Sequence, residues 1–209
     1  MGNELQVNVA AEEVSAEDRL RADMYDFLAV LLVAPPDAVL LARTRNLRGD
    51  GTPIGQAIGA LSRVADEMDE AAVRREFDRL FIGVGRGELL PYASYYLTGF
   101  LNERPLARLR QDMAGLGIVR SPQVSEPEDH IASLCEMMAG LIVGRFGSSA
   151  ALPVQKTFFD RHLGLWAEPF FADLGHAASA GFYVPVGMLG RAFIEIEKEA
   201  FGMTGQVPG

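Results

Sequence analysis

Cysteine and histidine are scarce in this 209-residue chain, which contains one cysteine, Cys135, and three histidines. A single thiol cannot form an intramolecular disulfide or a Cys-x-x-Cys motif, so a disulfide-stabilised secreted scaffold and a cysteine redox or metal motif are excluded. His130, His162 and His176 have no spacing typical of a metal site, and a His-Glu-x-x-His motif is absent. We therefore predict no bound metal and no cofactor.

Positive charge and long hydrophobic runs are also in short supply. Nineteen basic residues stand against 28 acidic ones, giving a net charge of −9, which disfavours nucleic acid and anionic membranes and favours a positively charged partner. The longest strongly apolar run, residues 27–34, is far shorter than the ~20 residues that a membrane span needs. The first 18 residues are acidic and do not resemble an export signal. We expect a cytoplasmic protein without membrane insertion.

What the chain does contain is apolar residues at helical spacing in nearly every segment. No run alternates with a period of two for long enough to indicate a strand. Ser15 and Thr52 are placed like helix N-caps, and Pro53 follows at a first helical position. We predict an all-α fold, with a single compact domain over residues 15–209 made of roughly nine or ten helices in two halves. A flexible arm is predicted over residues 1–14 and a candidate hinge over 118–125.

One stretch, EPEDHIASLCEMMAGLI at residues 126–142, combines an acidic cluster with an apolar stripe. Ser125 and Glu128 fit a capping box, which predicts a helix over 126–146 and accounts for most of the motif by helix physics. In that helix Asp129 points away from the apolar stripe and His130 lies at its edge. An exposed pair of this kind can bind a ligand's amides or cations. Cys135 lies within the stripe and is predicted to be buried.

Two other functional classes remain open at this point. A small hydrolase or nucleotide-binding enzyme could use Asp129 and His130, but it would need a third catalytic group and an anion site. The loop GVGRG at 83–87 lacks the Lys-Ser/Thr of a phosphate-binding loop. A helical adaptor without a peptide groove is the other alternative.

Four blocks of sequence, in order, resemble the TorD/DmsD/NarJ family of redox enzyme maturation chaperones. They are RLRADMYDFLAVLLVAPP at 19–36, FDRLFIGVGRGELLPYASYYL at 77–97, EPEDHIASLCEMMAGLI at 126–142 and QKTFFDRHLGLWAEPFFADL at 155–174. The E-P-x-D-H block together with P-Y-x-S is the most specific part, and the likeness extends over about residues 18–200.

This resemblance implies an all-helical cytoplasmic protein that is not an enzyme. Its partner would be an apo molybdenum-cofactor oxidoreductase, or the twin-arginine signal peptide of that enzyme, held until the cofactor is inserted. The resemblance leaves the client enzyme, and the choice between monomer and homodimer, open. Carried over by motif, the positions expected to contact the peptide are Pro91, Tyr92, Ser94, Glu126, Pro127, Asp129 and His130, and Tyr96 is added to them from the same segment.

Such a peptide has a basic region followed by an apolar stretch. Carboxylates at a helix start would attract the first, and a groove of flexible methionine and aromatic side chains would accept the second. The sequence offers as groove candidates Tyr92, Tyr95, Tyr96, Met113, Met137 and Met138.

Overall fold

The computed structural model describes residues 14–120 and 126–203, and within these ranges the chain is helical and contains no strand. The all-α prediction is confirmed. Residues 1–13 of the predicted arm, Ser125 of the predicted capping box and residues 121–125 of the candidate hinge lie outside the described residues. The described residues form ten α-helices, which are α1 (Ala16–Val33), α2 (Ala38–Arg45), α3 (Pro53–Glu67), α4 (Glu70–Phe77), α5 (Ala93–Thr98), α6 (Arg104–Gly115), α7 (Ile131–Val143), α8 (Leu152–His162), α9 (Ala167–His176) and α10 (Tyr183–Met203).

α1 and α3 begin directly after their predicted capping residues. The Ser15 hydroxyl accepts the backbone N–H of Asp18 at 3.0 Å, and the Thr52 hydroxyl accepts that of Gly55 at 3.0 Å. Pro53 occupies the first turn of α3, where its missing N–H leaves no helical bond unmade. Each cap satisfies a backbone donor that has no partner inside its helix, which fixes the start of the helix.

α7 forms the centre of the packing. α1 lies along it, while α9 and α3 pack against α10 and α2 packs against α3. Ten of the 13 residues of α7 are buried, so this helix is apolar almost all round, as expected for a core helix. Cys135 is fully buried, as predicted, and burial raises the pKa of its thiol.

Two buried carboxylates join elements that are far apart in sequence. Glu76 accepts the backbone N–H groups of Gly181, Phe182 and Tyr183 at 2.7, 3.0 and 2.8 Å, so it caps the start of α10. Glu197 forms a two-pronged ion pair with Arg21, at 2.7 and 2.8 Å. These contacts link α4 and α1 to α10 and stabilise the position of the C-terminal helix.

A five-residue π-helical turn, Asp78–Ile82, follows α4 and leads into the loop before Pro91. The loop folds back on the turn, with the N–H of Leu89 donating to the carbonyl of Leu80 at 2.8 Å. Gly87 allows this close approach, since a Cβ there would lie 2.6 Å from the same carbonyl oxygen. The loop thereby positions Pro91 and Tyr92 directly before α5.

The predicted start of the helix over 126–146 is wrong. α7 begins at Ile131, not at residue 126, because residues 126–130 form a turn whose hydrogen bonds go to the segment before α5. α5 ends at Thr98, because Gly99 adopts a left-handed conformation with φ of 82°. In the part of the chain that the structure describes, no helix is both long and apolar enough to cross a bilayer.

Candidate functional site

The two most specific segments of the sequence meet in space. The backbone pairs Tyr92 with His130 in an isolated antiparallel bridge. The N–H of Ile131 donates to the Pro91 carbonyl at 2.9 Å, and the N–H of Ala93 donates to the Asp129 carbonyl at 3.0 Å. The segments before α5 and before α7 are therefore joined, and we call residues 91–94 and 126–131 together the signature junction.

Asp129 lies inside this junction, so the prediction that it is exposed is wrong. Asp129 is only 1% exposed, and its carboxylate accepts the backbone N–H of Ser94 at 2.8 Å. The prediction assumed that the helix already ran through Asp129, whereas the turn directs the side chain inward. Within the described residues, Ser94 Oγ and the second Asp129 oxygen are buried without a hydrogen-bond partner. Asp129 thus caps the short helix α5.

His130 is also buried, at 8% exposure, and is the N-cap residue of α7. Its Nδ1 accepts the N–H of Ala132 at 3.1 Å, which requires that this nitrogen carry no proton. Burial lowers the pKa of His130 to about 4 and keeps the ring neutral. The ring meets Tyr92 edge to face, with centroids 5.2 Å apart.

The accessible part of the junction is smaller than predicted. Tyr92, Glu126 and Pro127 are exposed or half-buried, whereas Pro91 and Ser94 are buried. The Tyr92 hydroxyl donates to the Glu126 carboxylate, and the pKa of Tyr92 is raised by burial and by that contact. These three residues form the surface of the signature junction.

Tyr96 does not join this surface. Its hydroxyl donates to Asp173 at 2.9 Å, and its ring packs 5.4 Å from that of Trp166. The side chain therefore faces α9 and the connection before it. Tyr95 already has a partner, since the guanidinium of Arg86 lies over its ring, 5.0 Å from the ring centroid.

A groove of about 560 Å³ opens beside the junction, between α1 and α7. Two of the six methionine and tyrosine candidates, Met113 and Met137, contribute to it, whereas Met138 is completely buried in the core. Gly140 lets the Phe146 ring lie against α7, since a Cβ there would lie 2.4 Å from a ring carbon. The apolar lining of this α1/α7 groove is Ala29, Val30, Met113, Ile118, Val119, Met137 and Phe146.

Charged groups surround this apolar lining. The Glu128 carboxylate accepts a hydrogen bond from the Arg110 guanidinium at 2.8 Å. Asp26 forms an ion pair with Arg145. Four carboxylates against two guanidinium groups line the α1/α7 groove, a balance of −2. The carboxylates are Asp26, Glu126, Glu128 and Glu136, and the guanidinium groups are Arg120 and Arg145.

Glu136 was not among the predicted site residues, although the sequence contains a signal for it. It is the only charged residue in the otherwise apolar helix Ile131–Val143. A lone charge in such a helix either has a buried partner or marks the one face that is open to solvent. Val30 and Phe146 carry no comparable signal, because their place in the groove depends on how α1 packs against α7.

The described ranges 14–120 and 126–203 contain no group of three or more His, Cys, Asp or Glu side chains that could hold a metal ion. The Asp129 carboxylate and the His130 imidazole both accept backbone N–H groups. Their side chains therefore serve local structure, and a catalytic role for this pair has no support from its geometry.

Comparison with known proteins gives a consistent result. Residues 48–172, more than half of the chain, match the family model described as nitrate reductase delta subunit. The chain is 30% identical to the chaperone protein TorD of Vibrio cholerae over 149 residues, which covers 68% of each protein. It belongs to the TorD/DmsD/NarJ family. Members of this family are redox enzyme maturation chaperones and not enzymes, so the hydrolase alternative is set aside.

The likeness to TorD-family proteins extends over nearly the full length. TorD of Vibrio vulnificus is 28% identical over 209 residues, covering 90% of this chain and 97% of that protein. A crystal structure assigned to a redox enzyme maturation protein from Archaeoglobus fulgidus has the same fold, with a TM-score of 0.56 at 19% identity, covering 88% of this chain. In this chain the signature junction and the α1/α7 groove lie side by side, since Glu126 and Glu128 belong to both.

Proposed function

We propose that this protein is a cytoplasmic maturation chaperone that binds an apo molybdenum-cofactor oxidoreductase through its twin-arginine signal peptide. It holds that client until the cofactor is inserted and before export or assembly. Membership of the TorD/DmsD/NarJ family supports the chaperone role. The observation that carries the peptide-binding part is the α1/α7 groove, because its apolar lining and acidic surroundings match the two parts of such a peptide.

In this proposal the accessible residues of the junction contact the peptide directly. Tyr92, Glu126 and Pro127 border the groove or lie next to it and remain exposed or half-buried. Pro91, Ser94, Asp129 and His130 act from beneath, because their hydrogen bonds and burial fix the position of that surface. Tyr96 supports it from the side of α9.

The energetics are compatible with a reversible chaperone. Burial of four or five apolar side chains in the α1/α7 groove contributes roughly 6–15 kcal/mol, at ~1.5–3 kcal/mol each. Ordering a flexible peptide costs ~2–5 kcal/mol. The midpoints of these two ranges differ by ~7 kcal/mol, which corresponds to a dissociation constant on the order of ten micromolar. An affinity in this range allows release of the client after maturation.

The test is a titration of the full chain with a synthetic twin-arginine signal peptide of a molybdoenzyme. Val30 lines the groove and is 42% exposed, whereas Val39 on α2 is 59% exposed and does not line it. Val30→Lys should weaken binding by about tenfold or more, because it puts a cation into the apolar lining. Val39→Lys changes the net charge equally and should bind like the parent. Equal binding by all three proteins, or no binding by the parent, would contradict the proposal.

A further inference from the structure

Within the described part of the chain, Glu136 differs from the other carboxylates of the α1/α7 groove in having no hydrogen bond or ion pair. Asp26 is paired with Arg145, and Glu128 with Arg110. Glu126 accepts the hydroxyl of Tyr92. Glu136 is nevertheless exposed on the open face of α7, on the same side as Ser133 and Met137, which also line the groove.

The surroundings of Glu136 disfavour its negative charge. Burial by the groove walls and the like charge of Asp26 both raise the pKa of Glu136 above its ordinary value, and Arg145 opposes that shift without pairing with it. A carboxylate in such a place gains more from a cation than a fully hydrated one does, because the local dielectric constant is lower. The groove thus contains an apolar wall and one exposed carboxylate without a protein partner among the described residues, within a set of charges that balances to −2.

We infer that Glu136 is the specificity-determining residue of the α1/α7 groove and accepts an arginine of the bound peptide while its apolar neighbours cover Met137 and Val30. This inference rests on the proposed function and adds to it the residue that recognises the positive charge. An arginine is favoured because its planar guanidinium can bind a carboxylate through two parallel hydrogen bonds. The assignment also moves recognition from Asp129, whose accepting oxygen is already bonded inside the junction, to an accessible side chain on α7.

The experiment pairs protein variants with peptide variants. The probe is a synthetic twin-arginine signal peptide, together with versions in which the arginine pair is replaced by glutamines or by glutamates. The proteins are the parent, Glu136→Gln, Glu136→Arg and Glu67→Gln. Glu67 is a matched control, since it is an exposed glutamate on α3 that does not line the groove. Thermal melts verify that each variant is folded.

We expect the parent and Glu67→Gln to bind the arginine peptide about ten- to a hundredfold more tightly than the glutamine peptide, the range of one charge-assisted hydrogen-bonded pair. Glu136→Gln should lose about tenfold or more of that preference through weaker binding of the arginine peptide alone. Glu136→Arg should reverse the preference and favour the glutamate peptide. This reversal separates charge recognition from a merely structural role.

The possible failures are distinguishable. Binding of the arginine peptide that is weakened by Val30→Lys but unchanged by Glu136→Gln would overturn the assignment of Glu136 and leave the proposed function intact. Loss of the preference in Glu126→Gln, with Glu136→Gln unaffected, would overturn it in favour of Glu126. Failure of the parent to bind the arginine peptide would overturn both proposals.

Discussion

The carboxylate of Asp129 accepts the backbone N–H of Ser94 at 2.8 Å, and the carbonyl of the same residue accepts that of Ala93 at 3.0 Å. One residue therefore satisfies two of the free donors at the start of α5. Because α5 has only six residues, it gains little stability of its own and depends on such contacts. Tyr92, which precedes it, is held in place by the same bonds. The D in the most specific motif of this chain therefore has a structural role that the sequence alone did not indicate.

This relationship gives opposite expectations for two substitutions of Asp129. Asparagine can still accept the Ser94 N–H and is as good an N-cap as aspartate, so Asp129→Asn should bind a twin-arginine peptide within about threefold of the parent. Asp129→Ala leaves the buried N–H of Ser94 without an acceptor and should lose ~1–3 kcal/mol of stability. Urea unfolding and peptide titration measure the two effects. A folded Asp129→Asn that loses binding and its salt dependence would show that the charge of Asp129 acts on the peptide directly.

The sequence predicted much of the fold because helix signals are local. Ser15 and Thr52 mark helix starts through side-chain bonds to residues three positions away. Such local signals do not predict the signature junction. Glu128 fits a local capping box, but in the structure its carboxylate accepts the guanidinium of Arg110, 18 residues earlier in the chain. A contact with a segment that is distant in the chain produces no local pattern in the sequence from which it could be predicted.

The site was predicted in part for the same reason. The resemblance pointed to Tyr92 and Glu126, which the structure brings together. The predicted exposure of Asp129 came from extending the helical rotation of α7 back through a turn that is not helical. The groove positions of Val30 and Phe146 could not be predicted, because they depend on how α1 packs against α7. Glu136 could have been found, since a single charge interrupts an apolar helix of 13 residues.

Glu76 provides a test of how the C-terminal helix is fixed. Its buried carboxylate accepts three consecutive N–H groups at the start of α10. Glu76→Ala should destabilise the fold by about 3 kcal/mol or more, because each buried donor left unpaired costs ~1–3 kcal/mol. Glu76→Gln keeps one acceptor oxygen and should be intermediate. Glu70→Ala, in the same helix, removes only an exposed i,i+4 pair with Arg74 and should change stability by less than ~0.5 kcal/mol. Equal urea midpoints for Glu76→Ala and Glu70→Ala would contradict this role.

His130 should make the stability of this protein depend on pH in mildly acidic solution. Burial lowers its pKa to about 4 in the folded chain, whereas an unfolded histidine titrates near ~6.5. The unfolded state therefore binds more protons between these values, and stability falls as the pH decreases from about 6.5 towards 4. Above the unfolded value both states are neutral, and the full contribution of His130 is present. Over the whole window the loss amounts to about 3 kcal/mol, from ~1.4 kcal/mol for each pH unit.

The matched control for this effect is His130→Asn. Asparagine can accept the N–H at the start of α7 as the Nδ1 of His130 does, but it does not titrate. Urea unfolding at pH 7 should place the two proteins close together. At pH 4.5 the parent should have lost about 2–3 kcal/mol more than the variant, while carboxylates and His162, common to both, affect them alike. An identical pH dependence in the two proteins would contradict the buried, neutral state of His130 and would mean that its imidazole titrates alike in the folded and unfolded chains.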